Sequence, residues 1–149
     1  MNRPMKRISL LLLCLSALVA CTPSVPNNAE PSSDNVVITP DYTNVTVPVN
    51  IAPLTFRYAM PNVSKAVTTF TCGTESITVG GTDVCCPIKK WHAFLAKAAG
   101  KDVTVNAYIQ YKNEKGWKAL KPFTISVAEE PVDPYITYRL IAPSYVTYE

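Results

Sequence analysis

Cysteine is the residue type in this chain with the most evident chemistry, and Cys21 has the most specific surroundings. It directly follows Leu18-Val19-Ala20, and this order of apolar and small residues before a cysteine is typical of a lipobox. At such a site the cysteine becomes the lipidated first residue of the mature chain. We predict a diacylated and N-acylated Cys21, and an anchor with several acyl chains holds a protein on a membrane almost permanently.

The residues before Cys21 have the order of an export signal. A basic start is followed by the apolar run 8–19, which is short for a membrane span and ends at a small-residue cleavage site. We therefore predict that residues 1–20 are a lipoprotein signal peptide. The alternative is an ordinary signal peptide that is cut without lipidation, in which case Cys21 has no role.

Three further cysteines and the one histidine could supply metal or disulfide chemistry. Cys72, Cys85, Cys86 and His92 are of the types that bind zinc, but their spacing fits no zinc pattern, since adjacent cysteines rarely bind one ion. In an oxidising envelope a disulfide from Cys72 to Cys85 or Cys86 is the simpler interpretation. Buried free thiols are the remaining alternative. We predict no metal site.

A Cys86–His92 nucleophilic pair is the sharpest enzymatic hypothesis. The two residues lie six apart, one where a helix starts and the other on that helix, so their side chains should point away from each other. A surface or packed histidine is the simpler interpretation. The sequence has no Gly-x-Ser-x-Gly motif, phosphate loop or plausible carboxylate pair. We therefore predict no catalytic residue, no cofactor and a protein that is not an enzyme.

The charge of the mature chain is balanced. Three of the 14 basic residues lie in the signal, which leaves 11 basic against 11 acidic residues, so we predict no nucleic-acid partner. Lysines nevertheless dominate one region, and they form either a weak basic patch for anionic head groups or acidic glycans or an ordinary solvated surface. These are Lys89, Lys90, Lys97, Lys101, Lys112, Lys115, Lys118 and Lys121.

Composition divides the mature chain into three parts. Residues 21–35 are rich in proline, serine and asparagine, which predicts a disordered tether that spaces the domain from the lipid. Residues 36–128 contain short runs of β-branched and aromatic residues separated by turn signals, which is typical of a folded β domain. The expected early strands are 36–39, 44–47, 54–58, 66–71 and 76–79.

One helix is predicted near residues 87–99. Pro87 suits a first helical turn, and Gly100 is a typical stop. The residues Ile88, Trp91, Leu95 and Ala98 would form a single apolar stripe.

The clearest pattern is a β-hairpin. Residues 103–111 alternate strictly between apolar and polar, and a polar turn at 112–116 follows. Pro122 in the return strand predicts a sheet edge or a bulge. About seven strands and one helix predict an antiparallel, immunoglobulin-like β-sandwich. Its expected core includes Phe56, Ile109, Trp117, Phe123 and Ile125, with Ala119 and Val127 on the same face of the return strand.

Residues 129–149 differ from the rest. An acidic, proline-containing link is followed by a segment rich in tyrosine and aliphatic residues. Such a segment either docks on the sandwich, binds a partner or begins a further domain. We expect 131–149 to act as a joint, with another envelope protein as its partner.

Several segments resemble a known family. They are 40–56, Lys90-Trp91, 121–125 and 131–141, and together they span roughly residues 40–146. The chain resembles the N-terminal domain of envelope lipoproteins from anaerobic Gram-negative gut bacteria, in which a TolB-like β-propeller of WD-type repeats follows. No such repeats are present in this sequence. The resemblance therefore implies a stand-alone or truncated leading domain, and it carries over no propeller activity.

These observations favour a lipid-anchored, non-catalytic interaction or spacer module of the cell envelope, held by Cys21 and most simply placed at the outer membrane. The alternative is a ligand-binding or enzymatic lipoprotein whose propeller is lost or encoded separately.

Overall fold

The computed structural model describes residues 23–135 and residue 137, and this part of the chain contains ten strands and one helix. The helix α1 is Ile88–Ala98, within the predicted range. The strands are β1 (Ala29–Asn35), β2 (Ile38–Thr39), β3 (Thr46–Val47), β4 (Thr55–Tyr58), β5 (Val63–Cys72), β6 (Glu75–Gly80), β7 (Asp83–Cys85), β8 (Asp102–Tyr111), β9 (Trp117–Lys121) and β10 (Phe123–Val127).

The strands form two sheets, which confirms the predicted β-sandwich with one short helix. The larger sheet has seven strands. Its central strand β8 pairs antiparallel with β5 on one side and with β9 and β10 on the other. β6 pairs with β5, while β1 and β3 pair in parallel with β9 and β10. The smaller sheet has the order β2-β4-β7.

The predicted hairpin is present, and Pro122 marks a β-bulge in its return strand. Ala119 pairs with Tyr108, and Phe123 pairs with Val105. The return strand therefore advances four residues between these two pairs, whereas β8 advances only three. This extra residue separates β9 from β10 and shifts the side-chain alternation by one position. The prediction of an edge or a bulge at Pro122 is therefore confirmed.

The bulge also overturns two predicted core-facing residues, Trp117 and Ala119. Trp117 and Ala119 lie on the outer face of the sheet and are only half-buried, whereas Leu120 is 4% exposed. Beyond the bulge the predicted phase holds, and Phe123, Ile125 and Val127 are buried. Trp117 is thus not part of the core, because the residue that the bulge inserts reverses the alternation between β10 and β9.

Trp91 of α1 is the aromatic centre of the core. It is fully buried, its ring meets that of Phe70 edge-on at 5.4 Å, and its indole N–H donates to the carbonyl of Ile51 at 3.2 Å. Phe94 shares the buried face of the helix with Trp91, Leu95 and Ala98. Ile88, predicted on this stripe, is 56% exposed, because it begins the helix beyond the edge of the core.

The predicted disordered tether at 21–35 is corrected by the structure. Ala29–Asn35 forms β1, an edge strand that pairs in parallel with β9. Its side chains are all exposed or half-buried, so backbone hydrogen bonds hold it rather than apolar packing. The folded domain therefore begins before Val36.

The segment before β1 crosses the outer face of the larger sheet. Pro23 lies against Gly80 on β6, whereas Ala29 pairs with Trp117 on β9. β5 and β8 lie between these two strands. Residues 24–28 therefore cross β5 and β8 on the side away from the core. This crossing explains why Val67 and Thr69, whose outward positions would otherwise be open, are only 7% and 8% exposed.

Candidate functional site

The predicted lipidation site, Cys21, lies outside the described residues, but Pro23 fixes where the chain enters the fold. A methyl group placed on Gly80 would lie 3.0 Å from the Cβ of Pro23, so the two residues are in contact. Pro23 also lines a shallow groove with Cys85, Pro87 and Lys90. The chain therefore enters at the corner of the sandwich where β6 ends and α1 begins, which we call the entry corner.

The chain leaves the sandwich after β10 at another place. Val127 donates its N–H to the carbonyl of Lys101 at 2.9 Å, next to the first residue of β8. The following link is then held by Asn50. The side-chain amide of Asn50 donates to the carbonyl of Val132 and accepts from its N–H, both at 2.8 Å. We call this region the exit corner.

The two corners are diagonally opposite on the larger sheet. Gly80 is opposite Val67, which is opposite Tyr108, so the entry corner is level with the far half of β8. Val127 on β10 is level with Lys101, which lies seven residues before Tyr108 in the chain. β10 is three strands away from β6 in the sheet. With about 3.4 Å per residue and about 4.8 Å per strand, Gly80 and Val127 at the two corners are roughly 28 Å apart.

Asn50 is a functional candidate that only the structure identifies. An asparagine in a loop between prolines gives no local sign that it will bind a backbone segment 82 residues later. The amide of Asn50 offers one donor and one acceptor side by side, as the backbone of a neighbouring strand would. It therefore holds the backbone of the link at Val132 in the way that an adjacent strand would. The predicted joint at 131–149 thus begins with a segment of fixed direction at Val132.

Replacing Asn50 with alanine should free the link. Loss of both hydrogen bonds should speed hydrogen exchange at the Val132 amide about five-fold or more, since a typical hydrogen bond contributes about 1 kcal/mol. Asn50→Asp is the matched control, because its carboxylate can still accept from the Val132 N–H. Equal protection of Val132 in Asn50→Ala and the wild type would show that the side chain does not hold the link.

The three cysteines of the domain have different environments, and all are free thiols in the structure. Cys85 is exposed and Cys86 is buried, because adjacent residues at the end of β7 face opposite sides. Cys72 is partly buried at the end of β5. The predicted disulfide from Cys72 to Cys85 or Cys86 is not formed in this structure.

Cys86 is not suited to nucleophilic chemistry. Burial, with a smaller effect from neighbouring Cys85, raises the pKa of its thiol from 9.0 to about 12. It is therefore protonated at neutral pH, and its side chain belongs to the hydrophobic core. His92 lies on the exposed side of α1. The structure does not bring the Cys86–His92 pair together in an accessible site.

The folded protein should therefore show selective thiol reactivity. In the chain that begins at residue 22, Ellman's reagent should modify Cys85 first and should modify Cys86 only after unfolding. Removing the fast phase by Cys85→Ser, with the slow phase retained, would identify the reactive thiol. A fast phase that is instead removed by Cys86→Ser would contradict the buried position of that residue.

The predicted basic patch is not a single surface. β8 is ten residues long and therefore spans about 33 Å, with Lys101 just before it and Lys112 just after it. Lys101 and the lysines of the turn at 112–116 thus belong to separate regions. Two of the predicted members are in ion pairs, Lys97 with Glu75 and Lys118 with Glu114, both at 2.9 Å.

Neither a metal cluster nor a spanning helix is found in the described part of the chain. Residues 23–135 contain no group of three or more histidine, cysteine, aspartate and glutamate side chains placed to hold a metal ion. Within the same residues, no helix has the length and apolar character that crossing a membrane requires.

No protein-family model, no curated protein and no solved structure matches the chain.

Proposed function

We propose that this protein is a lipid-anchored, non-catalytic spacer of the cell envelope, which holds its C-terminal segment away from the membrane surface. The observation that carries this proposal is the diagonal placement of the entry and exit corners. A chain that enters at one corner and leaves roughly 28 Å away, by strand spacings, separates whatever is attached at its two ends.

The anchor in this proposal is the lipidated Cys21. Its support is the sequence pattern Leu18-Val19-Ala20-Cys21, together with the export signal before it. The resemblance to envelope lipoproteins of Gram-negative bacteria supports the outer membrane as the location. Because residues 29–35 form a strand, the distance from the lipid is set by the sandwich itself rather than by a long flexible tether.

The attachment at the other end is the segment after Val132. Tyr135 is 85% exposed and Val132 is 51% exposed, so the link presents apolar side chains to the outside. Asn50 gives this link a fixed direction as it leaves the domain. In the proposed arrangement the C-terminal segment binds another envelope protein.

The alternative function shares the same geometry. In the lipoproteins that this chain resembles, a TolB-like propeller occupies the position after the link. If a separately encoded propeller binds residues 131–149, the domain is the anchor of a ligand-binding or enzymatic complex. The exposed Tyr135 favours a partner at this position, and a propeller co-purifying with the protein would distinguish this alternative from a simple spacer.

The proposal is tested by fatty-acid labelling of cells that express the full chain. The wild type should incorporate a clickable fatty-acid analogue and sediment with membranes, whereas Cys21→Ser should do neither. Cys85→Ser is the matched control, because Cys85 is an exposed cysteine of the folded domain, and it should be labelled like the wild type. A Cys21→Ser protein that is still labelled and still sediments with membranes would reject the anchor.

A further inference from the structure

We propose that the entry corner is a membrane-contacting surface, in which Lys65, Lys89 and Lys90 lie against anionic phosphate head groups and Ile88 lies in the lipid interface. This inference rests on the proposed function, because it takes the lipid to be attached at Cys21. It adds an orientation: one defined corner of the sandwich faces the membrane.

The position of the anchor restricts which surface can meet the membrane. Cys21 lies two residues before Pro23, and two residues span at most about 7 Å. Pro23 is itself in contact with Gly80 at the end of β6. A lipid attached at Cys21 therefore leaves the entry corner within reach of the head groups, while the exit corner lies roughly 28 Å from the entry corner by strand spacings.

Three lysines surround this point. Lys90 lines the same groove as Pro23, and Lys89 precedes it on α1. Lys65 lies near the same corner, since the N–H of Gly81 donates to the carbonyl of its neighbour Ala66 at 2.8 Å. All three side chains are exposed.

The charge of these lysines is not neutralised by the described part of the protein. The three ion pairs found among residues 23–135 do not include Lys65, Lys89 or Lys90. The first turn of α1 has no acidic residue. The nearby carboxylate of Asp83 lies 3.5 Å from Arg57. The entry corner is thus positive on a mature chain without net charge, which complements an anionic surface.

Ile88 adds an apolar contact to the basic one. It is one of the few large apolar side chains that the domain exposes, at 56%, and it adjoins Lys89 and Lys90. The buried face of α1 includes Trp91 and Leu95 but not Ile88, so the side chain of Ile88 is available for contact with lipid. Basic residues around an exposed aliphatic side chain are typical of protein surfaces that rest in the membrane interface.

Lysine footprinting on vesicles tests this surface independently of lipidation in cells. The chain of residues 21–149 with Cys72→Ser and Cys85→Ser is coupled through Cys21 to a maleimide lipid in vesicles. The vesicles are either pure phosphatidylcholine or contain about one quarter phosphatidylglycerol, and the rate of acetylation is read at each lysine by mass spectrometry.

On the anionic vesicles Lys65, Lys89 and Lys90 should react about five-fold more slowly, the factor that corresponds to ~1 kcal/mol per lysine near such a surface. Lys101 and Lys121 should react at equal rates on both.

Charge reversal provides the second readout. Lys89→Glu/Lys90→Glu should abolish the slowing at Lys65, whereas Lys101→Glu/Lys121→Glu should leave it unchanged. Equal rates at Lys65, Lys89 and Lys90 on the two vesicle types, or slowing that is strongest at Lys101, would overturn the proposed orientation. Because the lipid is attached chemically, this result is separate from the labelling of Cys21 in cells, so the two proposals fail independently.

Discussion

Replacing Trp91 with alanine should lower the free energy of unfolding by about 3–5 kcal/mol, the usual cost of truncating a fully buried aromatic residue. Trp91 is fully buried, contacts Phe70 edge-on at 5.4 Å and donates its indole N–H to the carbonyl of Ile51. The substitution therefore leaves a cavity and removes the partner of that carbonyl. A domain of this size is stable by about 5–15 kcal/mol, so chemical denaturation should show a large shift of the midpoint.

Trp117→Ala is the matched control for this prediction. Trp117 is the other tryptophan of the chain, but it is only half-buried on the outer face of β9. Its truncation should cost clearly less than that of Trp91 and should leave the domain folded. If Trp117→Ala were the more damaging substitution, the assignment of the bulge at Pro122 and of the helix face would both be wrong.

Alkaline pH should destabilise the domain through Tyr58. Burial, only partly offset by a hydrogen bond to Thr68, raises the pKa of this phenol from 10.0 to about 12. The unfolded chain therefore ionises first, so the stabilisation is complete below pH 10 and is lost as the pH rises from 10 to 12. A shift of this size corresponds to roughly 2–3 kcal/mol, measurable by denaturation across that range.

A double variant isolates the Tyr58 contribution. Tyr58→Phe alone would leave the fully buried Thr68 hydroxyl without its partner at 2.7 Å, so Thr68→Val is combined with it. The double variant should lose stability less steeply between pH 10 and 12. Some slope should remain, because the pKa of Cys86 is raised from 9.0 to about 12 by burial in the same direction. An unchanged slope would contradict the buried phenol.

The parts of the fold that follow a strict period could be predicted from the sequence. The alternation over 103–111 identified the central strand β8, and the helical spacing of Trp91, Leu95 and Ala98 identified α1. Both elements bury one face continuously, so their patterns are uninterrupted.

The errors occurred where the phase changes or where packing is absent. The extra residue at Pro122 moved Trp117 outward and Leu120 inward, and alternation alone does not show where a bulge begins. β1 was missed because its polar residues contribute backbone hydrogen bonds rather than apolar contacts. β7 has only three residues, which is too short for a period to be read.

Of the proposed anchor and membrane-contacting surface, only the anchor has a signal in the sequence, and it stays a prediction. The lipobox at Cys21 is a local pattern, whereas the lysines were grouped by their closeness in sequence. The length of β8 separates Lys101 from Lys112, and antiparallel pairing brings Lys65 close to the entry corner instead. The contact of Asn50 with Val132 is equally invisible in the sequence, because it depends on how two distant loops meet.

The mass of the intact protein, extracted from membranes with detergent, tests the lipid anchor most directly. The anchor predicts a chain that begins at Cys21 and carries the added mass of a diacylglyceryl group and an amide-linked acyl chain, with fragmentation placing both on Cys21. A membrane-extracted protein whose chain begins at Cys21 without added mass, or one that retains residues 1–20, would contradict the anchor.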